Sequence, residues 1–178
     1  MLSCQLYVTA GLGLVVAITE IRLLIMQALN NTHQNAIAAA KRAHETATSK
    51  ESVAKSKYET FGLEASYLAH GQSVRVAQCK DDIDAFEAMF TTMASLPTKA
   101  DKVALGRFIE LVDNNDKSYF YFMGPSAGGL KVEYNQYFFM VVTPASPLGK
   151  AMMNRQLGEE FVLNVMQQQT EFEIVSIN

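Results

Sequence analysis

Residues 25–53, IMQALNNTHQNAIAAAKRAHETATSKESV, and residues 65–93, ASYLAHGQSVRVAQCKDDIDAFEAMFTTM, decide how this chain folds. The first sets Ile25, Leu29, Thr32, Ala36, Ala39, Ala43, Thr46, Lys50 and Val53 in alternating three- and four-residue steps. The second does the same with Ala65, Ala69, Gln72, Val76, Cys79, Ile83, Phe86, Phe90 and Met93. Such steps place a stripe of side chains along one face of a helix. Matched in reverse order, facing positions add to about 118 or 119 throughout, the constant register of two antiparallel helices. The fold-back falls near Glu59, within Tyr58-Glu59-Thr60-Phe61-Gly62. About 35 residues per arm at a rise of ~1.5 Å predicts a hairpin on the order of 50 Å long. Large side chains at the base (Ile25, Leu29, Phe86, Phe90, Met93) give way to Ala43, Val76, Val53 and Ala65, so a thick root and a slender tip are expected. Thr46, Lys50 and Gln72 interrupt the seam with polar groups, which tune register at some cost in stability. A hairpin buried in a helical bundle would share this pattern, but no third helix of comparable length follows.

The remaining composition narrows the classes. A chain of 178 residues has room for one ordinary domain or two small ones. Fifteen Lys and Arg against 18 Asp and Glu give a net charge of −3. That balance argues against a general nucleic-acid binder, and no stable DNA binding is expected. Cys4 and Cys79 form no framework, and Cys79 sits on the seam as a small hydrophobe. A reducing compartment is therefore expected. His33, His44 and His70 share no metal-ligand spacing. Residues 1–18 are a nearly continuous apolar extension that lacks the leading basic residue of a secretory signal. It also falls short of the ~20 residues a membrane span needs. A membrane-seeking segment, a helical prolongation of the hairpin and a stretch from a misassigned start all fit it; the last two are favoured, and no membrane partner is expected. Gly11-Leu12-Gly13 lacks the third glycine and the flanking strand of a dinucleotide loop.

The hairpin is assigned to residues 19–95, because Ser95-Leu96-Pro97-Thr98 stops the second helix. Residues 96–178 then change to strand texture. Val103 to Val112 alternates roughly, Asp113-Asn114-Asn115-Asp116 signals a turn, and Lys117 to Gly124 carries Tyr119, Phe120, Tyr121 and Phe122. Gly124 to Gly129 reads as a loop, and Phe138 to Val142 as a buried strand. A short helix is expected after Ser146, whose hydroxyl can cap it, with Pro147 at its first position. Glu160 to Met166 and Phe172 to Ile177 read as a closing pair. Five strands and one short helix make a compact α+β domain.

The run Val142-Thr143-Pro144-Ala145-Ser146-Pro147-Leu148-Gly149-Lys150-Ala151-Met152-Met153, followed by Gln156-Leu157-Gly158-Glu159, resembles the C-terminal signature of the Gre family of transcription elongation factors. The order of a coiled-coil hairpin followed by a domain of about 80 residues is similar too. The resemblance implies an α+β fold in which a long antiparallel two-helix coiled-coil hairpin precedes a small FKBP-like antiparallel-sheet domain. It implies a cytoplasmic protein that is not itself an enzyme. Its globular domain would dock on the rim of RNA polymerase's secondary channel, with Ala145, Ser146 and Pro147 in the docking loop. The hairpin tip would enter the channel beside the nascent RNA 3′ end and stimulate cleavage of backtracked RNA. Glu59 and Glu64 would help hold a Mg²⁺ shared with the polymerase active site and not bound tightly by the factor alone; such an ion prefers one or two carboxylates plus phosphate and water.

Three features bear on that expectation. The family's tip holds its two acids three apart, whereas Glu59 and Glu64 are five apart, so a channel binder that inhibits without cleavage is the alternative. Glu64 equally suits the positive end of a helix dipole. Lys50, Lys55 and Lys57, with Lys41, Arg42 and Arg75, form an RNA-facing basic patch or a solvated coiled-coil exterior. The aromatic strands also invite a peptidyl-prolyl isomerase reading, which fold shape alone does not warrant.

Overall fold

A computed structural model describes residues 12–48, 61–93, 101–134, 137–165 and 168–178, and these form two long helices and a six-stranded sheet carrying one short helix. Helix α1 spans Leu12–Thr48 and α2 spans Phe61–Met93. The chain divides into two compact units, Met26–Ala85 on one side and Met1–Ile25 with Phe86–Asn178 on the other. No helix among the described residues is long and apolar enough to cross a membrane. Because α1 begins at Leu12, residues 12–18 prolong the helix upstream of the seam.

In the 26–85 unit the stripe expected from spacing is the buried one. Leu29, Ala36 and Ala43 of α1 and Cys79 and Ile83 of α2 are buried. Thr32, Ala39, Ala69, Gln72 and Val76 are half-buried. Ala36 and Ala43 hold one arm of the seam with a single methyl each, which lets the two backbones approach closely. Thr46 departs from the pattern: it is exposed, and its hydroxyl donates to the Arg42 carbonyl at 2.9 Å. A threonine that bonds back to its own helix gives up its place on the seam. The fold-back at Glu59, together with Lys50 and Val53, lies outside the described residues.

The sheet unit contains β1 (Phe108–Asp113), β2 (Ser118–Met123), β3 (Lys131–Tyr134), β4 (Tyr137–Val142), α3 (Pro147–Met152), β5 (Glu160–Val165) and β6 (Gln168–Ile177). They form one sheet in the order β3-β4-β2-β1-β6-β5. The sheet is mixed where a wholly antiparallel one was expected, because β4 runs parallel to β2 with Phe120 opposite Phe139. The cause is the sixth strand, β3, which the sequence reading had not assigned. The chain leaves β2, reverses into β3 at the sheet edge, and reverses again, so β4 returns in the direction of β2. The strand expected from Val103 begins only at Phe108. Gly106 takes φ +77° with its N–H on the Met123 carbonyl at 2.7 Å, which turns the chain before the sheet. Val103 is buried all the same, bonded through its N–H to the Arg155 carbonyl at 2.8 Å.

Strand alternation gives the sheet two covered faces. On one, Ile109, Leu111, Tyr121, Met123, Phe161, Phe172 and Ile174 pack with Val103 and with Met152 of α3. On the other, Phe108 meets Phe120 at 6.1 Å and Phe139 at 5.4 Å, while Phe122 lies 6.3 Å from Phe86 and 6.1 Å from Phe90. Four consecutive aromatics in β2 follow from this: Tyr119 and Tyr121 serve one face, Phe120 and Phe122 the other. A strand covered on both sides reads as a continuous apolar run.

Asp113 closes the β1–β2 turn. Its carboxylate accepts the Asn115 N–H at 2.8 Å, the Lys117 N–H at 3.0 Å and the Tyr119 hydroxyl at 3.1 Å. The Lys117 bond above all holds the carboxyl below its ordinary pKa, with the Asn115 and Tyr119 bonds adding to it against a smaller opposing effect of burial.

Candidate functional site

Two places carry the residues singled out from the sequence, and each is described within its own unit. The first is the segment 143–153. Ser146 is the N-cap of α3, with φ −69° and ψ 155°. Its hydroxyl accepts the Gly149 N–H at 3.0 Å and donates to the Thr143 carbonyl at 2.8 Å. The Ser146 N–H also donates to that carbonyl, at 3.0 Å. Pro147 occupies the first turn, where a missing N–H costs nothing. Ser146 is thus engaged with its own backbone, while Ala145 and Pro147 beside it are exposed and present the surface of the loop.

Two further residues that fix this loop escaped the sequence reading. Gly149 is buried with its α-carbon against the Thr143 carbonyl; a methyl there would sit 1.9 Å from that oxygen. Its place in the expected helix disguised the close approach. Arg155 ties the far end of α3 to β5: its guanidinium donates to the Ala151 carbonyl at 2.6 Å, to Glu159 Oε2 at 3.3 Å and to the Glu160 carbonyl at 3.0 Å. The same group lies 5.4 Å from the centre of the Phe161 ring. No local motif marks an arginine for that role.

The second place is the Phe61 end of α2. Glu64 is exposed and is the acid in the first turn of that helix, where the dipole favours negative charge. Tyr67 and Leu68, one turn on, are exposed by 67% and 57%. A shallow groove of about 240 Å³ runs between the two arms, lined by Ala39, Arg42, Ala43 and Thr46 of α1 and by Leu68 and Gln72 of α2. Lys41 and Glu45 approach each other to 4.0 Å on the outer surface, and Arg42 and Arg75 are exposed. Glu59, Lys50, Lys55 and Lys57 lie outside the described residues. Among the described residues no group of three His, Cys, Asp or Glu side chains is placed to hold a metal ion. Glu64 makes no metal site with other described side chains. Phe122, among the aromatics that invite a prolyl-isomerase reading, is buried against Phe86 and Phe90.

Comparison with known proteins sets these places in context. Residues 97–178 match the family model of the C-terminal domain of transcription elongation factors GreA and GreB. No curated protein matches the chain. Among solved structures, the crystal structure of GreA factor homolog 1 (Gfh1) of Thermus thermophilus is 20% identical over 89% of this chain and 93% of that one, with a TM-score of 0.36. A structure of the transcription factor Gfh1 is 23% identical over 88% and 92%, with a TM-score of 0.37. Gfh1 of Thermus aquaticus is 19% identical over 82% and 93%, also with a TM-score of 0.37.

Proposed function

We propose, for a chain whose C-terminal domain places it in the Gre family of transcription elongation factors, that it binds RNA polymerase at the secondary-channel rim and stimulates cleavage of backtracked RNA. Ala145 and Pro147 would meet the rim, with Ser146 holding their loop. The helical hairpin would enter the channel beside the RNA 3′ end, and Lys50, Lys55 and Lys57 would face the transcript. Glu59 and Glu64 would add carboxylates to a Mg²⁺ shared with the polymerase, whose chemistry is to activate water for phosphodiester cleavage. The factor would thus act without a complete active site of its own, in the cytoplasm.

The family match over 97–178 carries this reading, and the exposed first-turn acid Glu64 supports it. The reading is tested by a transcript-cleavage assay on stalled elongation complexes with Mg²⁺ present. The expected result is acceleration by the protein that the Glu59→Ala/Glu64→Ala double variant abolishes. Full acceleration by the double variant would overturn the assignment of the acids.

One observation favours a second reading. The acids stand five residues apart in a family whose tip holds them three apart. In that reading the chain occupies the channel and slows elongation without cleavage. Inhibition that survives removal of both acids, with no cleavage by the unaltered protein, would select it.

A further inference from the structure

Among the described residues, strand β3 is one edge of the sheet and pairs only with β4. Its backbone polarity can be read from the first rungs of the ladder. The Val141 N–H donates to the Leu130 carbonyl at 2.8 Å, so Leu130 is turned toward β4. Antiparallel pairs alternate between bonded and non-bonded positions. Val132 opposite Phe139 and Tyr134 opposite Tyr137 are therefore bonded inward, while Lys131 and Glu133 turn their N–H and C=O groups outward, to the open edge. The side chains of Lys131 and Glu133 are exposed and share one face of the sheet; Val132, between them, is buried on the other face.

We propose that this edge pairs antiparallel with the same strand of a second copy of the chain, joining two sheets across a two-fold axis at Val132. That register is the one the backbone dictates. Only with Lys131 opposite the second copy's Glu133 do the outward groups of both strands meet as bonded pairs, each exchanging both N–H···O bonds. The charges then agree as well as the hydrogen bonds: on each side of the axis a Lys131 ammonium faces a Glu133 carboxylate across the seam. Opposite charges directly across a strand pair stabilise it, and like charges oppose it. Edge strands are ordinarily protected by charges that repel another edge, lysine above all. A lysine and a glutamate two apart, at the outward-bonding positions, do the reverse for a two-fold partner, because each strand presents the complement of itself.

Sedimentation velocity of the full chain over rising concentration tests this. The expected result is a monomer–dimer equilibrium weakened roughly tenfold by Lys131→Glu or by Glu133→Lys, since each change sets like charges opposite on both sides of the axis. The combined Lys131→Glu/Glu133→Lys variant restores complementarity and is expected to dimerise as the unaltered chain does. Thermal unfolding of the same variants checks that each is folded. A chain that stays monomeric to about 1 mM, a dimer indifferent to the single changes, or a folded double variant that fails to regain dimerisation would each overturn the proposal. Pairing with a different protein's strand would appear as association only in a mixture, and would overturn it equally. Transcript cleavage is read separately, so neither result decides the other.

Discussion

Three polar side chains of the sheet unit and four of the helical arms serve different ends. In the sheet unit Asp113, Ser146 and Arg155 turn to their own backbone, closing a turn, a helix start and a helix end. In the 26–85 unit Lys41, Arg42, Glu64 and Arg75 stand on the outside of a narrow stripe of alanines, a cysteine and a few larger aliphatics. Substitution of Asp113, Ser146 or Arg155 should therefore damage stability, whereas substitution of Glu64 should leave the fold intact.

The largest effect expected is at the centre of the aromatic face. Phe122→Ala removes a ring packed on Phe86 and Phe90, and should cost about 3–5 kcal/mol in denaturant unfolding. Ile83→Ala in the arms should cost less, about 2 kcal/mol, because a buried isoleucine removes less apolar surface than a buried phenylalanine. Equal losses at the two positions would break the comparison. Next come the two residues that shape the loop before α3. Gly149→Ala drives a methyl into the Thr143 carbonyl and should cost about 1–3 kcal/mol. Ser146→Ala loses the cap and should cost about 1 kcal/mol, with Ser146→Asp recovering most of it. On the proposed function both should weaken polymerase binding only by loosening the loop, so a binding loss without a stability loss would instead make Ser146 a direct contact.

How far the sequence foretold this division follows from the strength of each pattern. The arms were legible because one stripe repeats over many turns, so that a misfit at Thr46 does not disturb the register. Turn chemistry at Asp113 to Asp116 and the Ser146-Pro147 start were legible for a local reason: those residue types answer backbone needs within a few positions. Strand β3 was missed although Leu130, Val132 and Tyr134 alternate with Lys131 and Glu133, because four residues hardly outweigh the glycine-rich loop before them. Its omission also concealed the parallel pair, which no local pattern encodes. At the candidate site, Glu64 was named from its place near the fold-back, and Ala145, Ser146 and Pro147 from the signature run. The Gly149 contact and the Arg155 tie depend on chain segments meeting in space, and no spacing announces them.

A pH titration sharpens the comparison on the sheet side. Asp113 has its carboxyl held below the ordinary value by the Lys117 N–H first, with Asn115 and Tyr119 assisting. A group depressed in the native state contributes stability that is present in full above its unfolded pKa and is lost as the pH falls through the native one. Asp113→Asn should therefore flatten the acid limb of stability against pH, below about pH 4, while lowering stability at neutral pH. An acid limb as steep in Asp113→Asn as in the unaltered chain would mean that these backbone bonds do not stabilise the charged carboxylate, and the contrast fails.

The smallest structural effect is expected at Glu64 itself, and it decides most about function. Glu64 lies in the first turn of α2, so its charge interacts favourably with the helix dipole, by about 0.3–1 kcal/mol at an exposed site. Glu64→Gln keeps the side-chain length and removes the charge; unfolding should shift by no more than that amount, and less at high salt, where the dipole is screened. On the proposed function, transcript cleavage should nevertheless fall sharply, because a neutral amide is a far weaker ligand for a hard divalent cation than a carboxylate. Raising Mg²⁺ should then recover part of the cleavage rate, since the loss is one of ion retention and mass action opposes it. A variant that is unaltered in both stability and cleavage would reduce Glu64 to a helix-start residue and leave the delivered charge to Glu59. Lost cleavage that extra Mg²⁺ does not touch would mean that Glu64 acts on the RNA or the polymerase, and the ion-retention role would have to be given up.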